Sequence, residues 1–160
     1  MRRVAIGSDH AGFKIKQALV EHLRSEGIEA VDVGTHSTES VDFPDFGERV
    51  ARMVSQGKIK EGILVCGTGI GMSIVANKFP GVRAAVVTDL FTAKSSRAHN
   101  DSNILCLGER TTDEATAKQL LDVWLNEPFE GGRHERRVNK IRELDKAIVP
   151  LPEKTEEPKP

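Results

Sequence analysis

One feature constrains this chain more than any other: short β-branched runs alternate with amphipathic stretches of helical length, five times in succession. Val4-Ala5-Ile6 reads as a first strand. Phe13 to Leu23 follows as a helix, with Phe13, Leu19, Val20 and Leu23 recurring among charged positions. Gly27 stands where a helix end wants left-handed backbone. Glu29 to Val33 is a second strand, Asp45 to Ser55 a second helix closed by Gly57, and Gly62 to Cys66 a third strand, apolar throughout. An unbroken apolar strand suits a sheet covered on both faces. Ile70 to Lys78 gives a third helix, stopped by Pro80-Gly81. Val82 to Thr88 is strand four, Phe91 to Ala98 helix four and Asn103 to Leu107 strand five. Thr112 or Asp113 can cap a fifth helix running to Leu125. Five such units predict a three-layer α/β/α fold, a five-stranded parallel sheet with right-handed crossovers and helices on both faces. The flavodoxin-like order 2-1-3-4-5 is the leading expectation.

After Asn126-Glu127-Pro128 the pattern changes. Phe129-Glu130-Gly131-Gly132 breaks the chain, and Arg133 to Lys146 predicts an extra, highly charged C-terminal helix. Residues 150–160 hold four prolines and almost no apolar anchor. The expected organisation is therefore one α/β domain over residues 1–149 and a disordered tail over 150–160.

A formal net charge of −1 gives no electrostatic reason to expect nucleic acid or an anionic membrane as partner. Two cysteines, Cys66 and Cys106, are too few for a secreted disulfide scaffold. The first apolar run is broken at once by Ser8-Asp9-His10, so it is no signal-peptide core, and no apolar stretch approaches membrane-spanning length. A cytoplasmic location is expected.

In an open parallel sheet, ligands bind beyond the carboxyl ends of the strands. Those ends deliver Ser8-Asp9-His10, Cys66-Gly67-Thr68-Gly69-Ile70-Gly71, Asp89 and Gly108-Glu109-Arg110, and the loop after helix four adds His99-Asn100-Asp101. The glycine-rich turn is the most informative of these. Its glycines leave backbone N–H groups uncovered where a helix begins, an anion cradle in general form. No Lys-Ser/Thr pair closes it as in a Walker A loop, and Met72 replaces the third glycine of a dinucleotide fingerprint. Asp89, about 20 residues on, does have the spacing of that fingerprint's acid.

Each candidate also has a plainer reading. Cys66 is either a small core residue or a thiol whose ionised form the helix-end N–H groups stabilise. Cys106, mid-strand, reads as core. Asp9 is either a helix cap or an acid–base group, and His99 either a helix C-terminal cation or a site residue. His22 and His36 read as solvated surface groups. On the last helix, Arg133 and Arg137 share one face, and Arg136 and Lys140 another. Such a run is either a solvated face or a bidentate phosphate clamp. Metal-ligand spacings of the C-x2-C or H-x3-H kind do not occur, so no metal is expected.

Taken together, Gly7-Ser8-Asp9-His10-Ala11-Gly12-Phe13, Asp42-Phe43-Pro44, Cys66-Gly67-Thr68-Gly69-Ile70-Gly71, Ala76-Asn77-Lys78, Arg97-Ala98-His99-Asn100 and Gly131-Gly132-Arg133-His134 resemble the B-type ribose-5-phosphate isomerases, in order, from about residue 3 to about 147. The resemblance implies an aldose–ketose isomerisation through a cis-enediolate, without metal or organic cofactor, in the pentose phosphate pathway. It implies Cys66 as the base, with Thr68 beside it and Asp9 managing protons on the C1 and C2 oxygens. The N–H groups of Gly67, Gly69, Ile70 and Gly71 would hold the enediolate oxygen. His99, with Asp42 nearby, would open the furanose ring, and Asn100 would contact the sugar. His10, Arg110, Arg133 and Arg137 would bind the phosphate, in a homodimer whose subunits share each site.

Two departures qualify that picture. Family members often have Tyr where this chain has Phe43, and this chain has no Tyr, so a hydroxyl contact to the sugar is missing. Another branch takes its base as a glutamate just after the glycine turn, where Met72 and Ser73 offer no carboxylate. Six-carbon substrates, allose 6-phosphate or galactose 6-phosphate, are the nearest alternative, and a non-catalytic phosphosugar- or nucleotide-binding module is the alternative from another class.

Overall fold

The computed structural model describes residues 1–147; the expected domain end at 149 and the expected tail over 150–160 lie outside them. The elements run β1 (Arg3–Ser8), a 3-10 turn (His10–Gly12), α1 (Phe13–Ser25), β2 (Glu29–Asp32), α2 (Phe43–Ser55), β3 (Glu61–Cys66), α3 (Ile70–Ala76), β4 (Ala84–Val86), α4 (Leu90–Ala98), β5 (Ile104–Gly108), α5 (Glu114–Asn126) and α6 (Arg133–Ala147). All strands are parallel. None of the described helices is long and apolar enough to cross a membrane.

Strand side chains alternate between faces, and this period of two builds two cores. Val4, Ile6, Ile63, Val65, Leu105 and Leu107 meet α1 and α5 around the fully buried Trp124. Ala5, Leu64, Cys66, Ile104 and Cys106 face the opposite way, onto α2 and α3. Both faces are thus covered, as the continuous apolar strands predict.

The order of strands is β2-β1-β3-β5-β4, which corrects the expected 2-1-3-4-5. The cause lies in the last two strands. β5 is buried along its whole length and pairs with β3 on one side and β4 on the other. β4 has only three residues, all half-buried, which suits a sheet edge. The exchange matters for function. It brings the end of β5, with Gly108-Glu109-Arg110, directly against the glycine turn after β3, and moves the end of β4, with Asp89, away from it. Asp89 is accounted for locally: its carboxylate accepts from Thr92 N at 2.7 Å in a capping box that starts α4.

Candidate active site

The glycine turn leaves β3 at Cys66 and enters α3 at Ile70. Gly69 adopts φ +80°, and a Cβ there would stand 3.1 Å from the Leu107 backbone, so only glycine fits. This conformation carries the Gly69 N–H to Cys66 Sγ at 3.2 Å. Cys66 is 5% exposed, packed with Leu64 and Met72 on the α2/α3 face, with its sulfur inside the turn. Thr68 is exposed, and its Oγ1 accepts from Ile70 N at 3.3 Å. The amides of Gly67, Thr68 and Gly71 find no acceptor among the described residues. These are the donors a helix start leaves over.

β5 reinforces the turn from beside. Glu109 N donates to Cys66 O at 2.9 Å and Arg110 N to Gly67 O at 3.0 Å. The Arg110 guanidinium lies over Gly67, where a Cβ would be 3.2 Å from Nη1. Phe43 covers the other flank, its ring 2.8 Å from where a Gly71 Cβ would be. The aromatic ring at this position therefore serves as packing, whatever a hydroxyl would add.

β1 supplies the third wall. Asp9 is buried; its Oδ1 accepts from Gly12 N at 3.1 Å, so the capping reading holds, while its second oxygen makes no bond among the described residues. Val41 N donates to His10 Nδ1 at 3.1 Å. The same Nδ1 lies 3.2 Å from Val41 O, so the Val41 peptide holds the ring in place whichever nitrogen carries the proton. Asp42, next to Val41, is an exposed N-cap of α2 whose side chain makes no capping bond.

The remaining candidates form a second group. His99 ends α4, and α4 runs from the carboxyl edge of the sheet back to its amino edge. His99 and Asn100 therefore sit at the opposite edge from Cys66. The start of α6 lies beside them: Glu130 N donates to Ala98 O at 3.0 Å, and the His99 and His134 rings stack with centroids 4.2 Å apart. On α6, His134 and Val138 are buried, while Arg133 and Arg137 are exposed. The loop is fastened by Asp101, whose carboxylate bonds Arg83 and Arg142, both at 3.2 Å. A strand of five residues such as β5 spans roughly 16 Å. The predicted site residues thus fall into two groups at opposite edges of the sheet, Asp9–His10–Cys66–Arg110 and His99–Asn100–Arg133–Arg137.

Three further observations bear on the sequence reading: His22 departs from it, Cys106 agrees with it, and a third group of side chains is not foreseen in it. His22 is no solvated group: its Nε2 meets Asp122 Oδ1 at 2.6 Å between α1 and α5. Cys106 is fully buried, and desolvation with Cys66 alongside pushes its thiol pKa far up. Finally, although no metal spacing stands out in the sequence, the fold gathers His99, Glu130 and His134 with ligand atoms within 4.8 Å of one another. The i,i+4 spacing of Glu130 and His134 was the available signal; His99 joins them only through tertiary packing.

A parallel α/β sheet with an anion cradle and a thiol at its carboxyl edge, and arginines on a separate helix, defines a class of protein that handles small phosphorylated ligands. The comparisons narrow this. Residues 4–141 match the family described as Ribose/Galactose Isomerase. The chain is 45% identical over 145 residues, 91% of its length and 97% of the relative's, to ribose-5-phosphate isomerase B of Escherichia coli. It superposes with TM-score 0.90 at 50% identity on Clostridium thermocellum ribose-5-phosphate isomerase B, covering 92% of this chain and 99% of that one. The Mycoplasma genitalium ribose-5-phosphate isomerase B structure with bound ribulose-5-phosphate matches with TM-score 0.87 at 39% identity, over 90% and 96% of the two chains. This chain belongs to the ribose/galactose isomerase family.

Proposed function

We propose that this protein interconverts ribose 5-phosphate and ribulose 5-phosphate through a cis-enediolate, at a site completed by a second copy of the chain. The observation that carries the reading is the sulfur of Cys66 held at the glycine turn by the Gly69 amide, with other N–H groups of that turn uncovered. Cys66 is the base that moves the proton between C2 and C1 on one face of the sugar. Removing that proton places charge on oxygen, and the amides from Gly67 to Gly71 receive it. Each such donor is typically worth about 10²–10³ in rate, and a positioned base roughly 10²–10⁴. Asp9 exchanges protons with the C1 and C2 oxygens, and Thr68 supports the base.

The phosphate lies away from the reacting carbons, so its binding energy orients them. His10 and Arg110 bind it from one chain, and Arg133 and Arg137 from the other. His99 of that other chain, facing Asp42, opens the furanose ring, and Asn100 contacts the sugar. The separation of the half-sites at opposite sheet edges supports a dimer with shared sites. The names of the relatives support the five-carbon substrate over allose 6-phosphate or galactose 6-phosphate, and a balanced charge with no spanning helix among the described residues supports a cytoplasmic enzyme.

The test is turnover of ribose 5-phosphate against both six-carbon phosphates, in chelator, for the wild type and Cys66→Ala. The expected result is preference for the five-carbon sugar and loss of at least about 10²-fold in kcat in the variant, with ligand binding retained. Unchanged turnover in Cys66→Ala would remove the assigned base.

A further inference from the structure

We propose that His99, Glu130 and His134 form a binding site for one divalent transition-metal ion of the Zn2+ type. Two imidazole nitrogens and a carboxylate make a ligand set that such ions favour, with further positions open to water or a sugar oxygen. His134 Nε2 and Glu130 Oε2 are 3.3 Å apart. That is the separation two ligands on one tetrahedral ion require, given bonds of about 2.0–2.1 Å. His99 Nε2 stands 3.9 Å from the same oxygen, so it must approach by roughly 0.6 Å, which a half-exposed side chain at a helix end can do by rotating.

A second observation points to a ligand independently. The His134 side chain is 9% exposed, and its Nε2 is buried with no hydrogen-bond partner. Buried polar atoms in folded proteins are almost always satisfied, so an orphan aimed at a carboxylate and a second imidazole asks for a partner between them. The two rings stack 8° from parallel, so the His99 ring must turn out of the stack for its in-plane lone pair to meet the ion that His134 and Glu130 hold. The charges of Arg133 and Arg137 oppose any dication. Binding therefore depends on nitrogen ligation, and Mg2+, which prefers oxygen, gains little here.

Occupancy has a consequence that rests on the function proposed above. An ion at this site takes the Nε2 of His99 and blocks its service to the sugar ring, so Zn2+ inhibits turnover and a chelator restores it.

Titration of the full chain with Co2+, followed by its visible absorption and by Zn2+ displacement, tests the site without reference to activity. A Cys66→Ser background excludes thiolate ligation. The expected result is one ion per chain, no thiolate charge-transfer band and no competition from Mg2+. Affinity should fall at least about tenfold in Glu130→Gln, whose side chain is half-exposed, and in His134→Gln. Binding absent at equimolar ion, or retained in both variants, overturns the site. In parallel, Zn2+ should inhibit the wild type, and the activity of Glu130→Gln should resist the same concentration. Binding at the site without inhibition leaves the metal site standing and overturns the role given to His99.

Discussion

At the scale of single residues, position within one strand period separates two chemically identical thiols. Cys66 and Cys106 both point to the α2/α3 face, but Cys66 ends its strand at a turn of free amides and Cys106 is enclosed. Burial pushes the Cys106 thiol pKa up, so it forms no thiolate near neutral pH and reacts only when the sheet opens. Alkylation of the native protein followed by peptide mapping should label Cys66 first, and Cys66→Ala should stay unlabelled until denatured. Equal, slow labelling of both would count against an activated sulfur. His134 makes a prediction of the opposite kind. Desolvation, His99, Arg133 and Arg137 lower its pKa in the fold, against the attraction of Glu130. The native state therefore binds fewer protons than the unfolded state as pH falls through about 6.5, and stability must decline there. Melting temperature should drop more steeply between pH 7 and 5 for the wild type than for His134→Asn; parallel curves would show that the imidazole titrates alike in both states. The i,i+4 spacing from Glu130 hints at one contact of this residue, but its stacking on His99 comes only from tertiary packing.

At the scale of elements, the sequence pattern locates every strand and helix to within a few residues, because period-two and period-3.6 apolar spacing report what each element buries. It does not report which neighbour a strand chooses. β4 and β5 have similar apolar content in the sequence. Only the three-dimensional cover over β5 shows that it is central and that β4 is the edge. The Ala76-Asn77-Lys78 segment, matched by family likeness alone, acquires its physical reason here. Asn77 Nδ2 donates to Ala84 O at 3.0 Å, and Ala84 N donates to Asn77 Oδ1 at 2.8 Å. The side-chain amide thus mimics a short strand and occupies the open edge of β4, where pairing with another chain would otherwise begin. Replacing Asn77 by Ala removes both bonds, each worth about 0.5–1.5 kcal/mol, so a loss of about 1–3 kcal/mol is expected in denaturant unfolding. A change below about 0.5 kcal/mol would mean that water replaces the amide without cost.

At the scale of the whole molecule, the alternation of strand and helix has a geometric consequence that residue matching hides. In a parallel sheet, whatever precedes a strand lies at the amino edge and whatever follows it lies at the carboxyl edge. His99 and Asn100 precede β5, and Arg133 and Arg137 follow the return of α5, whereas Asp9, Cys66 and Arg110 follow β1, β3 and β5. Motif likeness groups all of these as one site, yet the chain holds them apart by the length of its own sheet. The dimer proposed above would set the amino edge of each copy against the carboxyl edge of the other, so that every site would draw on both chains. The exposed Ile70, Ile74, Leu90 and Phe91 are apolar surface that such a pairing can bury. Complementation tests it directly. In the proposed dimer, Cys66→Ala would lack the base at both sites of its own pair, and Arg137→Ala would lack a phosphate ligand at both. In mixed pairs, one site loses both groups and the other regains both. Unfolding and refolding the two variants together should therefore restore about a quarter of wild-type turnover at substrate levels far below the KM of Arg137→Ala. If the mixture stays at the average of the two variants while mixed pairs demonstrably form, each chain carries a whole site, and the separation of the half-sites must instead close by movement within one chain.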